Sequence, residues 1–528
     1  MAAPLDTARR VVGGLSRWAR GGIARRALRS DAPVWAHWEL DAPPAELPLP
    51  GPHGLEGLLP VLRELEIAAD ADTAGLRLEL RAPVGGLACA EALRRALDAW
   101  RDRGKPIVVW AEMLDLASLY VAAVADRLWM PETGRLSLYG LRAEGFYLKD
   151  ALDRWDVNPE VVRIGTHKSA GEMFTRRDMS DAQREQLDGL LDVSFDTLTH
   201  GIASGRDLDP AAVRGAIDAA VSGARDAREL GLIDDLVYRD AWDASFEAEA
   251  PRLARSAGRP VFQPLARVAA GGAAPPARDA WREPLRLAYL VAEGSLGRGE
   301  GARGIASETW EARLAGLAAD PQVRAVVLRI DSPGGDALAS DLLWRALRAL
   351  RREKPLVASI GGVAASGGYY LACAADQIFA ERTSVTGSIG VIGGKLDLSG
   401  LYERLGIGRD GVERGARAGM LSETRGFRDD EREAVAAEMQ ELYRIFLERV
   451  AEGRGTTVDA IAPIAEGRVY AGADALKLGL VDRLGGPLEA IAEARRLAGV
   501  HAGEPLAIEV HPKPTPWASL AAWSRRIV

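Results

Sequence analysis

The sequence predicts an α/β protein made of two tandem homologous domains, and three observations predict it. Apolar runs of strand length alternate with stretches of helical spacing through most of the 528 residues, a length too great for one ordinary core. The order of these elements restarts about halfway along the chain, in a register that can be checked residue by residue. Each half also places proline and glycine where an apolar strand gives way to a helix.

Residues 1–33 form a basic, amphipathic N-terminal arm, with arginines at 9, 10, 17, 20, 25, 26 and 29 among apolar residues. Such an arm suits peripheral contact with an anionic membrane surface, although the glycine pairs at 13–14 and 21–22 weaken it as a helix. No run of about 18 uninterrupted apolar residues occurs, so the sequence predicts neither a membrane-spanning segment nor a cleaved signal peptide, and a cytoplasmic or peripheral location. Residues 34–251 make the first domain, with strands at 76–80 and 107–110 and helices at 90–101 and 116–125. An Ala-, Gly-, Pro- and Arg-rich stretch, 252–283, reads as a linker. The second domain, 284–500, repeats the pattern with strands at 287–291, 326–330 and 356–360 and a helix at 337–352, and a further helix begins at Ser366. Residues 501–528 read as a C-terminal tail whose Trp517, Leu520, Trp523 and arginines suit an interfacial stretch or packing onto the domain.

The repeat is explicit. At a spacing of 250, Pro83 matches Pro333, Tyr120 matches Tyr370, Asp126 matches Asp376 and Gly165 matches Gly415; at 248, Leu230-Gly-Leu-Ile-Asp234 matches Leu478-Gly-Leu-Val-Asp482. Small shifts of this kind are what loop insertions produce.

Composition excludes several function classes. A net charge of −8 offers no general field for nucleic acid. Cys89 and Cys373 belong to no metal-ligand spacing, and no phosphate-binding lysine loop occurs, so no metal or other cofactor is expected. Only seven of the 67 basic residues are lysine, and none of the six histidines lies between 201 and 500. A Ser-His-Asp triad confined to the second half is therefore impossible.

The stretch richest in chemistry is Gly361-Gly-Val-Ala-Ala-Ser-Gly-Gly-Tyr-Tyr370, in which Ser366 stands at the turn from strand to helix. Free amides at a helix start can stabilise a reacting oxyanion, and glycines let a substrate approach. Ser366 is thus a candidate nucleophile, against the simpler reading of a helix cap. Asp331-Ser-Pro-Gly-Gly335 is a second strand-end turn able to present amides. Its first-half counterpart, Arg81-Ala-Pro-Val-Gly85, has lost one glycine, and Leu116 or Ala117 stands opposite Ser366. The nearby Ser118 has no glycine surroundings and reads as a small polar helix residue.

The base shows the opposite loss. Gly165-Thr-His-Lys-Ser169 in the first half matches Gly415-Ala-Arg-Ala-Gly419 in the second, with Ala418 opposite Lys168. One half keeps a lysine and the other a serine, which predicts a single site assembled across both. A lysine takes a proton from serine only when neutral, and an apolar interface supplies the desolvation. His167 competes for the role, since its ordinary pKa suits a base better. Neighbours in an extended segment face opposite sides, so only one of the two meets Ser366.

These three motifs, together with Thr386-Gly-Ser-Ile-Gly390, resemble the long, duplicated form of the signal peptide peptidase A family, serine proteases of the ClpP/crotonase superfamily. The resemblance runs from about residue 45 to 500. It implies two ClpP/crotonase-like domains of repeated ββα units, Ser366 as nucleophile, Lys168 as base and Ser388 as the residue holding the lysine amine. It implies an oxyanion hole from the amides of Gly334 or Gly335 and of Gly367. It further implies a ring-like homotetramer around an apolar chamber for hydrophobic peptides, such as released signal peptides. Long-form relatives usually carry a membrane anchor, which this sequence does not show. A crotonase-type acyl-CoA enzyme and a non-catalytic scaffold at the membrane are the competing readings, and neither explains a serine and a lysine kept in opposite repeats.

Overall fold

The computed structural model describes residues 32–48, 56–256, 258–272, 284–301, 304–501 and 504–512. The N-terminal arm and the Trp517–Val528 stretch lie outside them. Among the described residues no helix is long and apolar enough to cross a membrane.

In the first half, β1 (Val34–Leu40), β2 (Gly75–Leu80), β3 (Ile107–Ala111) and β4 (Arg127–Met130) pair in parallel, each with its neighbour in this order. Leu76, Leu78 and Leu80 are buried, as is every residue of β3, which is why these strands read as continuous apolar runs. Helices α1 (Leu58–Asp70), α2 (Leu87–Asp102) and α3 (Leu116–Ala122) cover one face. Trp35, Trp110, Trp242 and Phe246 cover the other, with the Arg77 guanidinium 4.6 Å from the Trp242 ring and 4.5 Å from that of Phe262. Beyond α3 come α4 (Lys149–Arg154), the outlying strand β5 (Asn158–Ile164) and the long helix α5 (Asp181–Arg206). The first sheet is closed by β6 (Asp235–Leu236) on β4 and by β7 (Val261–Pro264) on β1.

The last pairing corrects the linker reading of 252–283. Residues 261–272 build β7 and the helix α6 (Leu265–Gly272), whose Leu265, Val268 and Ala269 are buried. Alanine and glycine on the exposed side of so short a helix conceal its apolar face in the composition.

The second half follows the same plan. Strands β8 (Leu285–Glu293), β9 (Val323–Ser332), β10 (Leu356–Ala365) and β11 (Gln377–Ala380) are parallel neighbours. The helix α7 (Ala337–Glu353) follows β9, and α8 (Gly367–Ala372) follows β10. Next, β12 (Val385–Gly387) pairs with the upper end of β10. β13 (Val391–Asp397), α9 (Ser399–Arg404) and the 26-residue α10 (Asp429–Arg454) come after it. β14 (Val469–Ala471) runs antiparallel to β12, and β15 (Arg483–Leu484) parallel to β11. After α11 (Pro487–Leu497), β16 (Leu506–His511) pairs with β8 as the edge strand. The expected tail at 501–528 therefore contributes sheet; each residue of β16 is only partly buried, so the strand lacks the apolar signature of the central ones.

Two features join the halves. β5 of the first pairs antiparallel with β13 of the second over seven residues, Asn158 opposite Asp397 through Ile164 opposite Val391. Ionic side chains also cross between them. Fully buried Arg329 meets Glu46 at 2.6 and 3.0 Å, and Arg95 meets Glu381 at 2.6 and 2.9 Å.

Candidate active site

The two halves were read as donating one residue each, and the pairing of β5 with β13 brings those residues together. β10 ends at Ala365, and Ser366 turns the chain into α8 with φ 55° and ψ −118°. A non-glycine residue at positive φ carries strain and is held by its surroundings. Here the Ser366 amide donates to the Gly387 carbonyl at 2.8 Å, and its carbonyl accepts from the Tyr370 amide at 2.9 Å. Ser366 occupies the N-cap position, yet its side chain makes no capping bond. The hydroxyl is therefore left for another partner, and the capping explanation fails.

That partner is Lys168. Its Nζ lies 3.0 Å from Ser366 Oγ, 2.9 Å from Ser388 Oγ and 3.0 Å from the Ser388 carbonyl. All three acceptors are uncharged, and Lys168 is buried. Desolvation pushes its pKa down to about 8. An ammonium can donate to all three oxygens; a neutral amine can donate to the two of Ser388 and accept from the Ser366 hydroxyl. The geometry serves both protonation states without rearrangement.

The lysine backbone is fixed from both halves. Gly165 takes φ 108°, and the following turn donates from the His167 amide to the Glu466 carbonyl at 2.8 Å. A side chain on Gly467 would come within 2.6 Å of Lys168 Cβ, so the close approach requires glycine. Gln186 donates to the His167 carbonyl at 3.2 Å and accepts from the Val469 amide at 2.9 Å, which clamps α5 to β14 across the turn. His167 Nε2 lies 3.9 Å from a Glu185 carboxylate. Sequence reasoning missed Glu466, Gly467 and Gln186. They act through backbone contacts from distant segments, and nothing local marks them.

Ser388 also sits at positive φ, 52°, and its amide donates to the Arg468 carbonyl at 2.7 Å. The Asp331–Gly335 loop packs directly on the serine turn. A Cβ on Gly334, where φ is 105°, would lie 2.8 Å from both Ser366 Cβ and the Gly367 amide nitrogen. One on Gly367 would lie 3.3 Å from the Gly335 nitrogen. The amides of Gly335 and Gly367 thus border one small space beside Ser366. In the first half the corresponding turn holds Ser118, whose Oγ accepts from the Val84 amide at 3.3 Å while Asp115 caps α3. That serine is buried structure.

The model of the peptidase family S49 matches twice, over residues 99–251 and 348–501. The chain belongs to peptidase family S49. Lys168 falls in the first match, and Ser366, Gly367 and Ser388 in the second; Gly334 and Gly335 precede it. The chain is 32% identical over 454 residues to the chloroplastic serine protease SPPA of Arabidopsis thaliana, covering 84% of this chain and 66% of that protein. It is 31% identical over 411 residues to Protease 4 of Salmonella typhi, covering 76% and 66%. It therefore spans just under two-thirds of the length of these two relatives. A ClpP1 variant from Listeria monocytogenes aligns with 38% of this chain and 94% of its own at 13% identity, with a TM-score of 0.25. Both S49 matches carry the same strand, turn and helix order, yet the lysine and the serine each survive in one of them.

Proposed function

We propose that this S49 chain is a serine endopeptidase with a Ser366–Lys168 dyad, acting on hydrophobic peptides such as released signal peptides. The observation that carries the reading is the 3.0 Å contact between a buried lysine amine and an uncapped, strained serine. In the proposed cycle Lys168 takes the Ser366 proton as Oγ bonds to the peptide carbonyl carbon. The resulting oxyanion is met by the amides of Gly334 or Gly335 and of Gly367. Collapse breaks the C–N bond, and the Lys168 ammonium returns its proton to the leaving amine. Water then attacks the acyl-enzyme with Lys168 again accepting the proton, which releases the acid and restores Ser366. Ser388 holds the amine in place through two oxygens.

The two halves are read as ClpP/crotonase-like repeats that assemble with further copies into a ring enclosing the peptide. The S49 membership and the names of the two relatives, both proteases, support the serine peptidase part of this reading; the ring rests on the sequence motifs and their resemblance. The test is labelling by a fluorophosphonate serine probe in wild type and in Ser366→Ala, Lys168→Ala and His167→Ala variants, each checked for folding. Labelling lost in the first two and kept in the third is expected. A dependence on His167 in place of Lys168 would overturn the dyad.

A further inference from the structure

Three strained residues gather around the dyad, and only two of them bring it a hydroxyl. Among the described residues from 284 onward, three non-glycine positions take positive φ: Ser366 at 55°, Ser388 at 52° and Glu466 at 51°. Such a conformation is costly for a residue with a side chain and persists only where its surroundings enforce it. The first two carry the hydroxyls that meet Lys168 Nζ. Glu466 has no such part, and glycine would hold its turn at less cost, as Gly467 does beside it at φ 73°. The repeat shows the same position without strain. Helices begin at Pro210 and Val458, and again at Ala224 and Gly472, each pair 248 apart, so Asp218 is the first-half counterpart of Glu466. Asp218 ends its helix, and the first-half turn takes its positive φ two residues later, at Ala220.

Glu466 is bonded to the lysine turn through both backbone and side chain. Its carbonyl accepts from the His167 amide at 2.8 Å, and Oε2 accepts from the Thr166 amide at 3.0 Å and the Thr166 hydroxyl at 3.3 Å. Its own amide donates to Tyr443 Oη of α10 at 3.2 Å. The next two residues hold the other turn. The Gly467 amide donates to the Ile389 carbonyl at 2.8 Å, and the Arg468 carbonyl accepts from the Ser388 amide at 2.7 Å. Residues 466–468 therefore lie between the turn that carries the amine and the turn that carries two of its acceptors. There is no slack on either side: a Cβ on Gly165 would lie 2.5 Å from the Glu466 carbonyl carbon, and one on Gly390 would lie 2.8 Å from Gly467 Cα.

We propose that Glu466 is a positioning residue for the dyad: its strained backbone sets the lysine turn against the Ser388 turn, and its carboxylate locks the lysine turn there by holding Thr166. The assignment rests on the Ser366–Lys168 reading of the preceding section. It accounts for a glutamate standing where the backbone alone would favour glycine. Thr166 and Lys168 are two residues apart on one tight turn, so a fixed Thr166 amide fixes the direction in which the lysine side chain leaves the backbone. Release of that turn lets water reach Nζ, and a solvated amine holds its proton to higher pH. A small displacement of the amine from Ser366 Oγ also slows proton transfer steeply.

The test measures the rate of fluorophosphonate labelling against pH, together with the urea midpoint, in the full chain carrying Glu466→Gly or Glu466→Gln. Glycine removes the carboxylate and the strain together. It is expected to leave the midpoint at or above that of wild type. The inflection of the labelling profile should meanwhile move from about 8 to about 9 or above, with labelling at pH 7 slowed about tenfold. Glutamine keeps an acceptor oxygen for Thr166 and should recover most of the rate. A residue that served only the framework would show the reverse, a lower midpoint with the profile unmoved. An inflection left at about 8 in the folded glycine variant, a midpoint below wild type, or a glutamine variant as slow as the glycine one would overturn the assignment. Lys168→Ala on the same probe separates the two readings. If it labels like wild type, the dyad itself fails; a silent Lys168→Ala beside an unaltered Glu466→Gly sinks the positioning role alone.

Discussion

Lys168 Nζ and Ser366 Oγ stand 3.0 Å apart although 198 positions separate them in the chain, and each comes from a different repeat. Among the described residues no carboxylate contacts the amine, whose remaining hydrogen bonds go to both oxygens of Ser388. A buried amine without a counter-charge loses its proton readily, which makes the first prediction one of pH. With a pKa of about 8, roughly a tenth of Lys168 is neutral at pH 7, against well under a thousandth for an ordinary lysine near 10.4. The rate of serine-probe acylation is expected to rise with pH and level off above about 8. A flat profile from pH 6 to 9 would remove Lys168 as the titrating base.

Lys168→Arg keeps the charge and discards the base, since a guanidinium does not deprotonate. Acylation is expected to fall by about 10²- to 10⁴-fold, with the circular dichroism spectrum unchanged.

Lys168→Met predicts the opposite sign for stability. Folding lowers the lysine pKa, so between about pH 8 and 10 the unfolded chain binds more protons than the folded one. The burial cost is fully present below pH 8 and is relieved as pH rises through that window. Removing the amine should therefore raise the free energy of unfolding at pH 7, by at most about 3 kcal/mol, and with it the denaturation midpoint, with a smaller gain at pH 10. The variant is expected to be inactive, and a midpoint below wild type would contradict the desolvation argument.

Gly334→Ala tests the floor of the site. The added methyl would sit 2.8 Å from Ser366 Cβ and the Gly367 nitrogen, at φ 105°, and backbone strain of this kind costs about 1 to 3 kcal/mol. The expected result is a folded protein with a modestly lowered melting temperature whose acylation falls about a hundredfold. Normal acylation would show that the Asp331–Gly335 loop does not shape the oxyanion space.

Arg329→Met tests the joint between the halves. Arg329 is fully buried and bonds Glu46, Ser359 Oγ and the Ile360 carbonyl. Stripping one partner from such a pair typically costs about 3 to 5 kcal/mol, because the other charge stays buried and unpaired. Adding Glu46→Gln should recover part of the loss in the denaturant midpoint. If the double variant is no better than the single one, the cost lies in packing instead.

The central elements were legible because their physics is local. Leu76–Leu80 and Val326–Ile330 read as strands since both faces are buried, and the helix from Ala337 shows its apolar stripe directly. The edge strands β7 and β16 were hidden by partial burial, which leaves no continuous apolar run. Gln186, Glu466 and Gly467 were invisible for a different cause: they hold Lys168 through amides and carbonyls, and such contacts place almost no demand on local sequence pattern.

By itself the sequence determined that the chain is a repeat, and that Lys168 in one half and Ser366 in the other each lack a counterpart at the matched position. Loss of a residue at a matched position is a fact of composition and needs no coordinates. Only the tertiary structure sets the Lys168 amine 3.0 Å from Ser366 Oγ and His167 Nε2 near Glu185, because adjacent side chains on one turn differ in direction alone. It decided too that the amine is buried with only uncharged oxygens as its contacts among the described residues, a property of what surrounds Nζ in space. That surrounding is assembled from segments some 200 to 300 residues away, so no stretch of sequence contains it.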